Sequence, residues 1–106
     1  MCGITGIYST NNISNIEKRI QSMNASIKHR GPDAGGFYID NNLVLGHRRL
    51  SIIDTREVSN QPMHSNSNVW HLVFNGEIYN FEEIKSQLNY RFKTSSDTEV
   101  IIAAVE

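Results

Sequence analysis

Apolar and polar residues fall in short alternating blocks along the 106-residue chain, and the blocks predict small strands interleaved with small helices. Gly3 to Tyr8 reads as a strand whose two glycines mark a bend or a close backbone approach. Ile13, Ile16, Ile20, Met23 and Ile27 then recur three and four apart among Lys, Arg, Glu and Ser. That spacing predicts an amphipathic helix of roughly four to five turns with one buried face. His29-Arg30-Gly31-Pro32-Asp33-Ala34-Gly35-Gly36 breaks it, since Pro lacks a donor and Gly admits unusual backbone angles.

Phe37–Asp40 and Leu43–His47 predict a hairpin around Asn41-Asn42, and Leu50–Asp54 a further extended segment. Thr55 to Asn68 is polar and reads as loop, interrupted by Gln61-Pro62-Met63. Val69 to Phe74 is the most strand-like run, ending abruptly at Asn75-Gly76. Asn80 with Glu83 predicts a capping box for a helix whose apolar face is Phe81, Ile84 and Leu88. Tyr90–Lys93 predicts a short strand. Ser96 with Glu99 predicts a second capping box, opening a helix through Val100, Ile101, Ala104 and Val105. That helix meets Glu106 in mid-pattern, with a carboxylate at its negative pole and no glycine cap, so the chain reads as one incomplete domain, cut short.

Ten basic against eleven acidic residues give a net charge of −1, which offers nothing to nucleic acid or an anionic membrane. A single cysteine excludes an internal disulfide and fits a reducing compartment. The longest apolar run, Val100 to Val105, cannot span a bilayer. With no secretory signal pattern at the start, the expectation is a soluble cytoplasmic protein. His29, His47, His64 and His71 show no paired ligand spacing, and neither a phosphate loop nor a dinucleotide fingerprint occurs.

The lone cysteine, Cys2, follows the initiator methionine. Removal of Met1 would leave one residue carrying both a thiol and a free α-amine. Such groups ordinarily titrate near ~8.5 and ~7.7–8.0, close enough to exchange a proton at neutral pH. The amine then serves as a built-in base and the thiolate as nucleophile. An inert buried thiol is the ordinary alternative.

At Phe74-Asn75-Gly76-Glu77 the ordinary explanation is a tight turn. The functional one is an oxyanion hole, with the Asn75 amide and the Gly76 N–H aimed at a developing negative oxygen. His47-Arg48-Arg49-Leu50-Ser51 puts two arginines at a strand end, either a solvated edge or a two-point clamp for a carboxylate. Asp97 complements the dipole of its helix, or holds a substrate ammonium. An amino-acid substrate would need both charges.

In order along the chain come Met1-Cys2-Gly3-Ile4-Thr5-Gly6, His29-Arg30-Gly31-Pro32-Asp33 with Gly36, and Leu45-Gly46-His47-Arg48-Arg49-Leu50-Ser51-Ile52-Ile53-Asp54. Gln61-Pro62-Met63, Phe74-Asn75-Gly76-Glu77-Ile78-Tyr79-Asn80 and Ser96-Asp97-Thr98-Glu99-Val100 complete the series. Together these six blocks resemble the N-terminal glutaminase domain of glutamine-hydrolysing asparagine synthetases, which are class II glutamine amidotransferases. The resemblance runs from end to end of residues 1–106. It implies an α+β fold, the first part of the αββα sandwich of N-terminal-nucleophile hydrolases. Relatives that aminate sugar phosphates or phosphoribosyl pyrophosphate share the Cys start but differ at the Arg-Gly-Pro-Asp and Asn-Gly-Glu-Ile-Tyr-Asn blocks.

The resemblance also implies roles. Cys2 would attack the side-chain amide of L-glutamine, and Asn75 and Gly76 would form the oxyanion hole. Arg49 would hold the α-carboxylate, Asp97 with the Glu77 segment would hold the α-ammonium, and Leu50, Ser51, Ile52 and Ile53 would line the pocket. A γ-glutamyl thioester forms, and ammonia leaves for amide transfer to aspartate. No cofactor is implied for this chain; ATP and magnesium belong to a synthetase domain, with its Ser-Gly-Gly-x-Asp-Ser loop, that residues 1–106 do not contain. The expected partners are therefore glutamine and the missing remainder of the protein, in cis or in trans. Uncovered sheet edges would also favour pairing with a second copy as a homodimer. The competing expectations are a catalytically inactive fragment or binding subunit that needs its missing half, an amidotransferase with another acceptor, or a thiol hydrolase using His29 or His47 as base.

Overall fold

The computed structural model describes residues 2–51 and 56–106. Its elements run β1 (Gly3–Tyr8), α1 (Ile16–Ser26), β2 (Ala34–Asp40), β3 (Leu43–Arg49), a single 3-10 turn (Glu57–Ser59), β4 (Met63–His64), β5 (His71–Leu72), α2 (Phe81–Ser86) and α3 (Asp97–Val105). The first sheet is antiparallel with β3 in the centre, in the order β1-β3-β2. Its hairpin closes at Asp40 opposite Leu43, around Asn41 at φ 33°, as the Asn41-Asn42 pair predicts. A second antiparallel pair joins Met63 to Leu72 and His64 to His71.

Strand periodicity decides what each β3 side chain faces, because successive residues point to opposite sides of a sheet. Val44, Gly46 and Arg48 face α1. Gly46 is required there, since a Cβ would run into Thr5, Asn24 and the Ile20 side chain. Asn24, buried on α1, donates through Nδ2 to the Gly36 carbonyl at 2.9 Å and accepts from Thr5 Oγ1 at 2.7 Å, tying the helix to both outer strands. His47 and Arg49 take the opposite face, toward the β4–β5 layer. There Tyr38 of β2 stacks on His71 with ring centroids 4.0 Å apart, and His47 reaches Phe74. The apolar core is correspondingly small: Ile20 and Val44 under the first sheet, and Met63, Val100, Ile102 and Ala103 beside α3. Among the described residues, no helix is long and apolar enough to cross a membrane.

Several expectations need correction. The first helix covers Ile16–Ser26 and leaves Ile13 outside, with Asn15 at its N-cap in the left-handed region. It stops before Gly31-Pro32, and no described glycine takes a positive φ. The Val69–Phe74 run yields only a two-residue strand, since β4 is equally short and offers no further ladder; Val69 and Trp70 stay exposed. Tyr90–Lys93 forms no strand. Asn80 precedes α2 but makes no side-chain cap bond, and α2 buries no residue fully.

The second capping box forms only by half. Ser96 Oγ accepts from the Thr98 N–H at 3.1 Å, but the Glu99 carboxylate turns inward instead of back to Ser96. It accepts from the Lys93 N–H (2.9 Å), the Thr94 N–H (2.8 Å) and Thr94 Oγ1 (2.7 Å), pinning the incoming chain to the helix. With Glu99 fixed inward, the residues three and four positions on, Ile102 and Ala103, are buried, while Ala104 and Val105 are exposed. The apolar face of α3 is therefore rotated from the expected one.

Candidate active site

Cys2 lies just ahead of the Gly3–Arg48 pairing, so the strand period puts it on the same sheet face as Arg49. Its sulfur sits against the chain leaving β3: the Leu50 N–H points at Sγ at 3.3 Å, and the Leu50 carbonyl lies 3.7 Å away. The Cys2 carbonyl accepts from Arg30 Nε at 3.1 Å, so the His29-Arg30-Gly31-Pro32 block anchors the N-terminal backbone. No histidine nitrogen is among the hydrogen-bond partners of Sγ in the described residues.

The thiol opens on a cleft of about 70 Å³ lined by Cys2, Arg49, Leu50, Gly76, Glu77 and Asp97, with Ser59, Gln61, Phe74, Ser96 and Thr98 completing the wall. Arg49 is buried and fastened by Nη1, which donates to the Arg56 carbonyl and to Asn60 Oδ1, both at 2.9 Å. Asp97, at the first position of α3, is equally buried, and its Oδ2 accepts from the Ile78 N–H at 2.9 Å. That bond holds the Glu77–Ile78 segment against the helix start, where the dipole favours a carboxylate. Among the described residues no hydrogen bond joins Arg49 to Asp97, so one cleft wall carries two buried opposite charges that do not neutralise each other directly.

The Asn-Gly pair at the end of β5's run is not the left-handed turn its sequence suggests, because neither residue has a positive φ. Gly76 lines the cleft, and a Cβ there would come within 2.8 Å of the Phe74 ring. Asn75 is exposed and lies outside the cleft lining, between two residues that are part of it. Ser51 is also outside: its N–H donates to Asp33 Oδ2 at 2.8 Å, and it lines a neighbouring groove with Asp33, Glu57 and Asn60. Met1, Ile52 and Ile53 lie outside the described residues.

Two more residues support the cleft in roles that the sequence did not indicate: Gln61, and His47, which the sequence offered only as a candidate base. Gln61 links the strand end to the helix start: its Oε1 accepts from the Phe74 N–H at 2.6 Å, and its Nε2 donates to Thr98 Oγ1 at 3.3 Å. The Gln-Pro-Met block was the available signal. His47, fully buried, donates from Nε2 to the Phe74 carbonyl at 3.1 Å, so Nδ1 carries the lone pair and has no hydrogen-bond partner among the described residues. Burial pushes its pKa below the ordinary 6.5 and the Arg49 charge adds to this, against the opposing effect of the Phe74 carbonyl.

A histidine held neutral in the fold binds fewer protons than the unfolded chain does. Its contribution to stability is therefore complete above pH 6.5 and is lost as pH falls toward the depressed folded value, with a limiting slope of ~1.4 kcal/mol per pH unit. His64, depressed by partial burial and by His71, acts in the same direction. His47→Gln should flatten the acid limb of a urea-midpoint profile below pH 6.5 without erasing it; an unchanged limb would contradict the neutral assignment.

His64 and His71, seven residues apart, meet through their Nδ1 atoms across β4 and β5, a proximity the sequence spacing did not reveal. Among the described residues, no three His, Cys, Asp or Glu side chains converge as a metal site would require.

The chain is 41% identical to asparagine synthetase [glutamine-hydrolyzing] 1 of Bacillus subtilis, over 97% of this chain and 17% of that protein. It is 36% identical to asparagine synthetase B [glutamine-hydrolyzing] of Escherichia coli, over 97% of this chain and 19% of that protein. Amidase chry2 of Gibberella zeae is 49% identical over 73% of this chain and 12% of its own length. The chain thus spans about a fifth or less of the curated relatives named here. Residues 1–106 in full match the glutamine amidotransferase domain, and the chain belongs to that family.

Proposed function

We propose that this domain hydrolyses the side-chain amide of L-glutamine through Cys2 and delivers the ammonia to a synthetase of the asparagine-forming kind. The observation that carries the proposal is the pair of buried, mutually unbonded charges, Arg49 and Asp97, sharing one cleft with the only thiol. Buried charges are costly without a partner, and an amino-acid zwitterion supplies one of each sign. The α-carboxylate goes to Arg49, whose Nη1 is already anchored, so that Nε and Nη2 present the fork. The α-ammonium goes to Asp97, with the Glu77 segment beside it.

With Met1 excised, the Cys2 α-amine takes the thiol proton and Sγ attacks the amide carbon. The C–O bond becomes an oxyanion, received by the Gly76 N–H and by the Asn75 amide once its side chain turns inward. Collapse breaks the C–N bond, the protonated Cys2 α-amine returns the proton to the leaving nitrogen, and ammonia departs. Water then adds to the γ-glutamyl thioester, releasing glutamate and restoring the thiol. The Leu50 N–H gives the sulfur a donor throughout. We place α1, the first sheet and the β4–β5 layer as three successive layers of an αββα sandwich. The synthetase relatives are named for asparagine, which favours aspartate as the acceptor; a second reading, an amidotransferase with a different acceptor, is compatible with the likeness to a protein named an amidase.

Arg49→Lys tests the clamp. An ammonium cannot reproduce two parallel hydrogen bonds, so KM for glutamine should rise roughly 10- to 100-fold with a smaller change in kcat. An unchanged KM in an ammonia-release assay would contradict the assignment.

A further inference from the structure

Ser59 is a buried polar group in the cleft that the mechanism above leaves unused. It is 1% exposed, it lines the wall with Cys2, Arg49 and Asp97, and its Oγ has no hydrogen-bond partner among the described residues. A hydroxyl buried without a partner opposes folding. Its backbone shows which end of the cleft it belongs to. The Ser59 N–H donates to the Arg56 carbonyl at 3.1 Å, the same carbonyl that accepts from Arg49 Nη1. The next residue, Asn60, holds that same Nη1 through Oδ1. Ser59 therefore sits in the short turn that fastens the guanidinium.

We infer that the Ser59 hydroxyl is a substrate-binding group, donating to the α-carboxylate of the bound amino acid beside the Arg49 fork. The inference rests on the glutamine reading above and adds a third contact to it. A hydroxyl and a guanidinium converging on one carboxylate would favour α-amino acids over amides that lack the carboxyl group. Nothing about an isolated serine in a polar stretch signals this from the sequence.

The test is Ser59→Ala in the intact protein, read by glutamine kinetics, thermal denaturation, and competitive inhibition by 4-aminobutanamide, which is glutamine without its α-carboxylate. The expected result is a KM for glutamine raised roughly 10- to 100-fold, with the loss falling on KM rather than kcat. Tm without ligand stays the same or rises, because the variant removes an unsatisfied buried hydroxyl. The inhibition constant of 4-aminobutanamide does not move. A KM within twofold of wild type overturns the inference, as does an inhibition constant that rises in parallel with KM, or a lowered Tm with both kinetic constants impaired. If the wild-type protein releases no ammonia from glutamine, the glutamine reading itself falls, and the Ser59 role with it.

Discussion

Cys2→Ala is expected to abolish glutamine hydrolysis and to leave glutamine binding within a few-fold of wild type. The substitution deletes one sulfur atom whose neighbours are the backbone N–H and carbonyl of Leu50. Arg49 and Asp97 keep their own anchors, through Arg56, Asn60 and Ile78, and none of these passes through the sulfur. Recognition of the amino-acid head should therefore survive while the reaction stops. Alanine is also small enough to allow removal of Met1, so the variant retains the same α-amine and isolates the role of the thiol. Calorimetric titration with glutamine measures the binding, and ammonia release measures the chemistry. Turnover persisting in the variant would mean that another group is the nucleophile. A free α-amine as base adds a separable consequence: acetylating the N-terminus should stop a Cys–amine mechanism and spare one that uses a histidine. The structure already counts against the histidines, since His47 spends Nε2 on Phe74 and no ring nitrogen contacts the sulfur among the described residues.

Asn75→Ala has the second-largest expected effect, a fall in kcat of roughly 10²- to 10³-fold with little change in KM. A tight left-handed turn at the Asn-Gly pair would need positive φ at both residues, and neither has it. Alanine is thus compatible with the backbone, and a purely structural role predicts a mild stability change and intact turnover. The oxyanion role predicts the reverse, because a donor matched to the transition state contributes little to ground-state binding. Asn75 starts from an exposed position beside Gly76, so the oxyanion role requires its amide to swing into the cleft when substrate binds. A variant with raised KM and normal kcat would contradict that movement and the role together.

The outer frame of the site was legible in the sequence for identifiable physical reasons. Glycine-marked β1, the Asn41-Asn42 hairpin and the isoleucine-spaced α1 are set by local periodicity, and the structure contains all three. Choosing Arg49 over Arg48 came from the family resemblance, and strand parity supplies the reason: Arg48 points toward α1 and bonds the Gly31 carbonyl, while Arg49 points into the cleft. What stayed hidden depends on long-range partners. Val69–Phe74 has the composition of a full strand, yet strand length is set by the neighbour available to pair, and β4 offers two residues. Glu99 fits a capping box by spacing, but the Thr94 hydroxyl and the Lys93 and Thr94 N–H groups compete for its carboxylate and win. Asn24 and His47 both look like polar intrusions on apolar faces. Each instead makes a directed hydrogen bond that fixes one layer on the next.

Intact-mass analysis of the purified protein after treatment with an electrophilic glutamine analogue bears most directly on whether a self-activating N-terminal thiol sits in an amino-acid cleft. The expected spectrum shows a chain without Met1 carrying one adduct, located at Cys2, whose formation is blocked by excess L-glutamine and is absent from Cys2→Ala. A chain that retains Met1, or a Cys2 that stays unlabelled while the protein is folded, would contradict it.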